Sequence, residues 1–162
     1  MSTTSPEYIF ATPDADGSDG LLAIVIRKIA DQVKPDETGS AVKFFTTKDC
    51  AQQAGYIKHA KGHIIPAHFH PPERRLITSV PETLMVVKGR LLVEFYCTDR
   101  QKECGRVLEA GDVVVLLCGG HGFEVMEDVE IFEVRQGPYL SDKDKVRFES
   151  ENVPKENLQV GC

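Results

Sequence analysis

Apolar residues along this chain come in short bursts, each closed by Gly, Pro or Asp. That punctuation predicts strands over Ala41 to Thr47, Gly55 to Ala60, His63 to His70, Glu82 to Val87, Arg90 to Cys97, Val113 to Leu117, Phe123 to Met126 and Val129 to Val134. Leu21 to Ile29 is rich in β-branched residues and reads as a strand, with a short helix as the alternative. Glu82, Leu84 and Val86 alternate with polar or outward positions, so the carboxylate of Glu82 is expected on the same inward face as the two aliphatic side chains. Leu84, Val86, Phe95, Val113 and Val115 read chiefly as core.

Many strands and little helix predict an all-β double-sheet jelly roll. A chain of 162 residues suits one compact domain. The expected organisation is a flexible or edge-docked N-terminal arm over residues 1–20, a β-barrel domain over 21–150 and a flexible tail over 151–162. In the arm only Tyr8, Ile9 and Phe10 offer an apolar anchor. Ser141 to Lys145 reads as a charged loop, and Val146 to Phe148 as a final edge strand or a cover for a neighbour.

Charge narrows the partners. A formal net charge of −6 and a pI near 5.4 argue against a nucleic-acid-binding surface, which needs a clustered basic face. No apolar run approaches the length of about 20 residues that spans a membrane. The N-terminus lacks a basic region followed by an apolar stretch, so a cytoplasmic location is expected. Five cysteines at irregular spacing make no disulfide framework. Cys97 and Cys104 flank a predicted turn and are expected to face each other as thiols. Cys118, three residues before His121, is a minor candidate for a soft metal.

The richest chemistry lies in the stretch Gly62 to His70. In an extended strand His68 and His70 share a face and can hold one ion between them, and a carboxylate at the head of the next strand would complete the set. His63 has the opposite parity and is expected on the outer face, with His59 also exposed. Gly62-x5-His68-x-His70 followed by Glu82-x6-Gly89 resembles the first motif of the cupin superfamily. Gly111-Asp112 through Gly119-Gly120-His121 resembles the second, although the usual Pro is missing and the His comes one residue early. Gly119-Gly120 offers the turn or bulge that would absorb this slip. The first motif also carries an insertion, Pro71 to Pro81, and a rival alignment makes Glu73 the carboxylate ligand.

The resemblance implies a double-stranded β-helix, the cupin jelly roll. It also implies one divalent transition metal (Fe, Mn, Ni, Zn or Cu) on His68, His70, Glu82 and His121, and a symmetric homodimer. Donors of these types do not choose the metal. Arg74, Arg75 and Tyr96 are candidate substrate contacts, with Tyr139 a further phenol, and no catalytic residue is assigned. The leading expectation is a metal-dependent enzyme for a small organic acid or carbohydrate derivative. A metal-free sugar-nucleotide isomerase or epimerase, with His68 or His70 as base, and a non-catalytic small-metabolite-binding module are the alternatives.

Overall fold

The computed structural model describes residues 5–12 and 20–149. The expected tail 151–162 and most of the expected N-terminal arm lie outside the described residues.

Ten strands form among the described residues: β1 (Glu7–Phe10), β2 (Leu21–Ile26), β3 (Ala41–Phe44), β4 (Gly55–Lys58), β5 (Glu82–Lys88), β6 (Arg90–Tyr96), β7 (Lys102–Glu109), β8 (Val113–Leu116), β9 (Gly120–Val125) and β10 (Glu130–Arg135). The only helical elements among the described residues are two 3-10 turns, Ile29–Asp31 and Ser141–Asp144. The fold is therefore all-β. None of these helical turns is long and apolar enough to cross a membrane.

The strands build a five-stranded antiparallel sheet in the order β1-β2-β8-β5-β10, a three-stranded sheet β7-β6-β9 and the hairpin β3-β4. Leu84, Val86, Val114 and Val25 of the large sheet pack on Leu91, Val93, Phe95 and Leu108 of the small one. The opposite face of β2 and β8, with Ile24, Ile26, Val113 and Val115, packs on Val33 and Phe45 beneath the β3-β4 hairpin. Central strands buried on both sides explain why LLAIVI and VVVL are continuous apolar runs rather than alternating ones. The two main sheets face each other without closing into a barrel through backbone pairing.

Gly89 makes the β5–β6 turn. Its φ is +81°, and a Cβ there would lie 2.0 Å from the carbonyl oxygen of Asp128, so only glycine fits. The Gly111-Asp112 pair serves the turn between β7 and β8. Asp112 is buried and accepts hydrogen bonds from the Lys28 amide at 2.8 Å, the Glu109 amide at 3.0 Å and the Arg27 guanidinium at 3.0 Å. This one carboxylate ties β2 and β7 to the start of β8.

Three expectations change. His63–His70 is not a strand: it runs as exposed chain with no ladder partner. Pro66, Pro71 and Pro72 withhold the backbone donors that a sheet position requires. Strand β7 forms where only a turn was foreseen, because its residues are largely polar and half-buried. Cys104 pairs across the ladder with Phe95, while the Cys97 thiol hydrogen-bonds to the Glu103 carboxylate, so the two thiols do not face each other. In the N-terminal segment, β1 docks on the edge of β2.

Candidate functional site

Glu82 opens β5 and is 6% exposed. The alternation of the strand aims it inward with Leu84 and Val86, and the chain before it is fixed by buried Pro81, whose carbonyl accepts from the Gln136 amide at 3.1 Å. On the adjacent edge strand β10, Arg135 stands directly opposite Glu82 in register. From the facing sheet comes His121, the second residue of β9, paired in register with the core residue Phe95. Like Phe95, His121 therefore projects into the space between the sheets.

These three side chains meet. His121 Nε2 lies 3.2 Å from Glu82 Oε2, and Arg135 Nε lies 3.7 Å from Glu82 Oε1. Arg135 also reaches Asp144 at 3.3 Å, yet its buried Nε has no hydrogen-bond partner. The hydrogen bond from His121, with help from the charges of Arg135 and Lys145, holds the Glu82 carboxyl below the usual range despite its desolvation. Glu82 is therefore an anion at neutral pH.

The trio sits in the wall of a cavity of about 740 Å³. A cavity of this size takes a small organic molecule. Lys145 and Arg147 from the segment after β10 line it as well, adding two cations to Arg135. Tyr96 and Glu94 line it from the other face of the small sheet, where Tyr96 pairs with Gly120 and Glu94 with Gly122. The cavity thus wraps round the β9 edge, where two glycines leave room. The Tyr96 hydroxyl donates to Glu94 at 2.9 Å, and Lys102 forms an ion pair with the same carboxylate. Phe148 closes this side, its ring edge-on to Tyr96 at 5.3 Å, so the Val146–Phe148 segment covers a neighbour without forming a strand.

Gly119 permits this arrangement. Its φ is +71°, and a Cβ would come within 2.3 Å of the Tyr96 carbonyl oxygen. The turn at Gly119, with β9 starting at Gly120, sets the inward direction of His121 one residue later.

Of the residues singled out in the sequence, Glu82, His121, Tyr96 and Cys118 share the cavity. His68, His70, Glu73, Arg74 and Arg75 do not: all five are exposed on the chain between β4 and β5. His68 and His70 are near each other, with ring centroids 5.3 Å apart. His59 is half-buried rather than exposed, stacked on His63 at 3.8 Å. Tyr139 lies under the Arg135 guanidinium, 5.4 Å from it, and does not line the cavity. Arg135, Lys145, Arg147 and Phe148 were not anticipated. For Arg135 a signal exists, because period-two alternation along β10 puts it on the face of Ile131 and Glu133.

The residues as placed do not fit a metal ion. Glu82 and His121 provide two donors where a zinc-type site takes three or four from the protein. A guanidinium also faces the second carboxylate oxygen. No group of three or more His, Cys, Asp or Glu side chains among the described residues is arranged to hold one. Cys118 adds nothing to the donor set: desolvation pushes its thiol up, and its Sγ donates to the Leu21 carbonyl at 3.2 Å.

Comparison with protein-family models, with curated proteins and with solved structures finds no match to this chain.

Proposed function

We propose that this chain is a small-molecule-binding protein of the cupin jelly-roll type whose cavity takes an anionic metabolite, a carboxylate or a sugar phosphate, and transfers a proton through His121. The observation that carries this reading is the contact of His121 Nε2 with the ionised, buried Glu82 carboxylate at 3.2 Å. A carboxylate on one ring nitrogen selects the tautomer that carries its proton there and leaves Nδ1 as the accepting nitrogen. When His121 takes a proton, the same carboxylate stabilises the imidazolium. Arg135, whose Nε makes no hydrogen bond although the guanidinium stands between Glu82 and Asp144, puts a cation beside the dyad, and Lys145 and Arg147 add positive potential against the Asp144 carboxylate in the same lining.

Proton abstraction next to a carbonyl is the reaction class that suits one base, one oriented cation and a Tyr96–Glu94 pair at the far wall. This is the chemistry of an isomerase or epimerase, with His121 in the role of base. The test is incorporation of solvent deuterium into keto acids and sugar phosphates, followed by proton NMR. His121→Gln should abolish exchange, and Arg135→Gln should weaken binding of the same compound. If no anionic compound in such a panel binds or exchanges, the reading fails.

A metal-dependent enzyme is the second reading. What favours it is that two of the four expected donors meet in the cavity while the other two, His68 and His70, lie near each other. It requires the β4–β5 segment to bring both imidazoles to Glu82 and His121. Elemental mass spectrometry of tag-free protein and of Glu82→Ala decides it: near-stoichiometric metal that falls in the variant supports the metal site, and none in either after loading removes it.

A further inference from the structure

Of the three basic side chains in the cavity wall, Lys145 and Arg147 are exposed and Arg135 is half-buried. Arg135 grips neither of the carboxylates beside it. Charge-assisted N–H···O contacts to a carboxylate close to about 2.7–2.9 Å. Arg135 stands 3.7 Å from Glu82 and 3.3 Å from Asp144, and its buried Nε makes no hydrogen bond. A buried polar nitrogen in that state is costly, and in folded proteins such groups are normally satisfied. The guanidinium is set for an anion that the chain itself only partly supplies.

Asp144 holds that place. Its side chain is 6% exposed, and it lines the cavity. It also accepts from the Leu140 amide at 3.0 Å, a bond within its own turn. That turn, Ser141–Asp144, opens at Ser141 with φ +57°, a left-handed conformation that favours glycine. Strained backbone of this kind persists where the surroundings hold it, and it clusters at ligand sites. Neither the turn nor the chain from there to Phe148 pairs with a strand. Glu82, by contrast, is fixed in β5 and bonded to His121, so of the two carboxylates Asp144 is the one able to leave.

We propose that Asp144 is an internal stand-in for the ligand's own carboxylate. It holds Arg135 until a singly charged carboxylate displaces it, and so sets both the affinity and the charge selectivity of the cavity. This rests on the reading of the cavity as an anion site given above. Exchange of one carboxylate for another leaves the charge around Arg135 unchanged, with Glu82 still 3.7 Å away. A phosphate dianion brings a second negative charge toward Glu82, and repulsion in a partly desolvated wall opposes it. Selectivity is built by such repulsion as much as by attraction. A displaced Asp144 keeps cations near it, since Lys143, Lys145 and Arg147 are its neighbours in sequence.

The test is binding of pyruvate and of inorganic phosphate to the full chain, followed by the NMR signal of the Arg135 Nε–Hε pair, which Arg135→Gln identifies by its loss. Asp144→Asn removes the competing charge and should bind pyruvate at least about tenfold more tightly than wild type, the contribution of one charge-assisted hydrogen bond. A purely structural Asp144 predicts the opposite, because its loss would loosen the cavity wall. Above neutral pH, where phosphate is mostly doubly charged, wild type should bind it more weakly than pyruvate. A second measurement needs no variant: saturating pyruvate should speed amide hydrogen exchange across 141–148 in wild type as Asp144 gives up Arg135. Equal or weaker pyruvate binding by Asp144→Asn, slowed exchange across 141–148, or phosphate bound more tightly than pyruvate overturns the proposal and leaves the anion cavity standing. No binding of either anion by either protein removes both, whereas tighter binding by Asp144→Asn without solvent-deuterium exchange removes the proton-transfer reading alone.

Discussion

Replacing Glu82 by glutamine keeps the shape of the side chain and removes its charge, which isolates what the charge contributes. The carboxylate accepts from His121 at 3.2 Å and faces Arg135 at 3.7 Å. A hydrogen bond to a charged group contributes about 1.5–3 kcal/mol, and 3.2 Å places this one toward the lower end. Arg135 keeps Asp144 at 3.3 Å, so the substitution does not leave the guanidinium without an anion. A neutral amide is also cheaper to bury than a carboxylate. The net expectation is a loss of about 1 kcal/mol at neutral pH, read by urea unfolding. The pH dependence is the sharper test. The folded-state pKa of Glu82 lies below its ordinary value of 4.5, so its contribution is complete above that value and disappears as pH falls through the folded pKa. The wild-type and Glu82→Gln curves should therefore converge at acid pH. A gap under about 0.5 kcal/mol at neutral pH, the usual scatter for a surface change, or a gap that stays constant into acid, would refute the argument that ionised Glu82 holds the trio together.

Three other outcomes follow from particular positions. Gly89→Ala forces a side chain into the left-handed region and against the Asp128 carbonyl, so thermal unfolding should show a loss of at least about 3 kcal/mol, more than the 1–2 of the backbone conformation alone. Asp112→Ala removes the acceptor of two amides and the Arg27 guanidinium, and should cost about 3–5 kcal/mol by urea titration; a loss below about 1 would contradict the role given to that carboxylate. Burial first, and the Glu103 carboxylate second, raise the Cys97 thiol to about 11, so iodoacetamide at neutral pH should leave Cys97 unmodified in folded protein and modify it in urea, read by peptide mass spectrometry.

The central strands were legible because the sequence writes double burial as continuous β-branched runs at Leu21–Ile26 and Val113–Leu116. β5 was legible through its alternation, which also gave the direction of Glu82. β7 was not, since Lys102–Glu109 has charges and a glycine where a strand signal would have aliphatics. The segment around His68 and His70 misled for the opposite reason. Ile64, Ile65 and Phe69 mimic a strand, but a strand needs a partner, and pairing is a property of the whole fold that a local window does not carry. At the site, motif spacing led to Glu82 and His121. Arg135 and the cations after β10 belong to the same cavity only because β10 lies beside β5, and that adjacency is topological.

The sheet order also has a consequence for how the chain reaches its native state. β2, near the beginning of the domain, lies between β1 and β8, and β8 is one of the last strands to be synthesised. The most deeply buried layer therefore cannot assemble until most of the chain exists and a long loop has closed. Its entropic cost falls before the reward, which places this protein among slow folders dominated by non-local pairing. Until β8 arrives, the run Leu22–Ile26 has an open edge on the side where β8 will pair, although the residues that cover its two faces precede β8 in the chain, and that open edge is what a nascent or refolding chain most needs to keep from other chains.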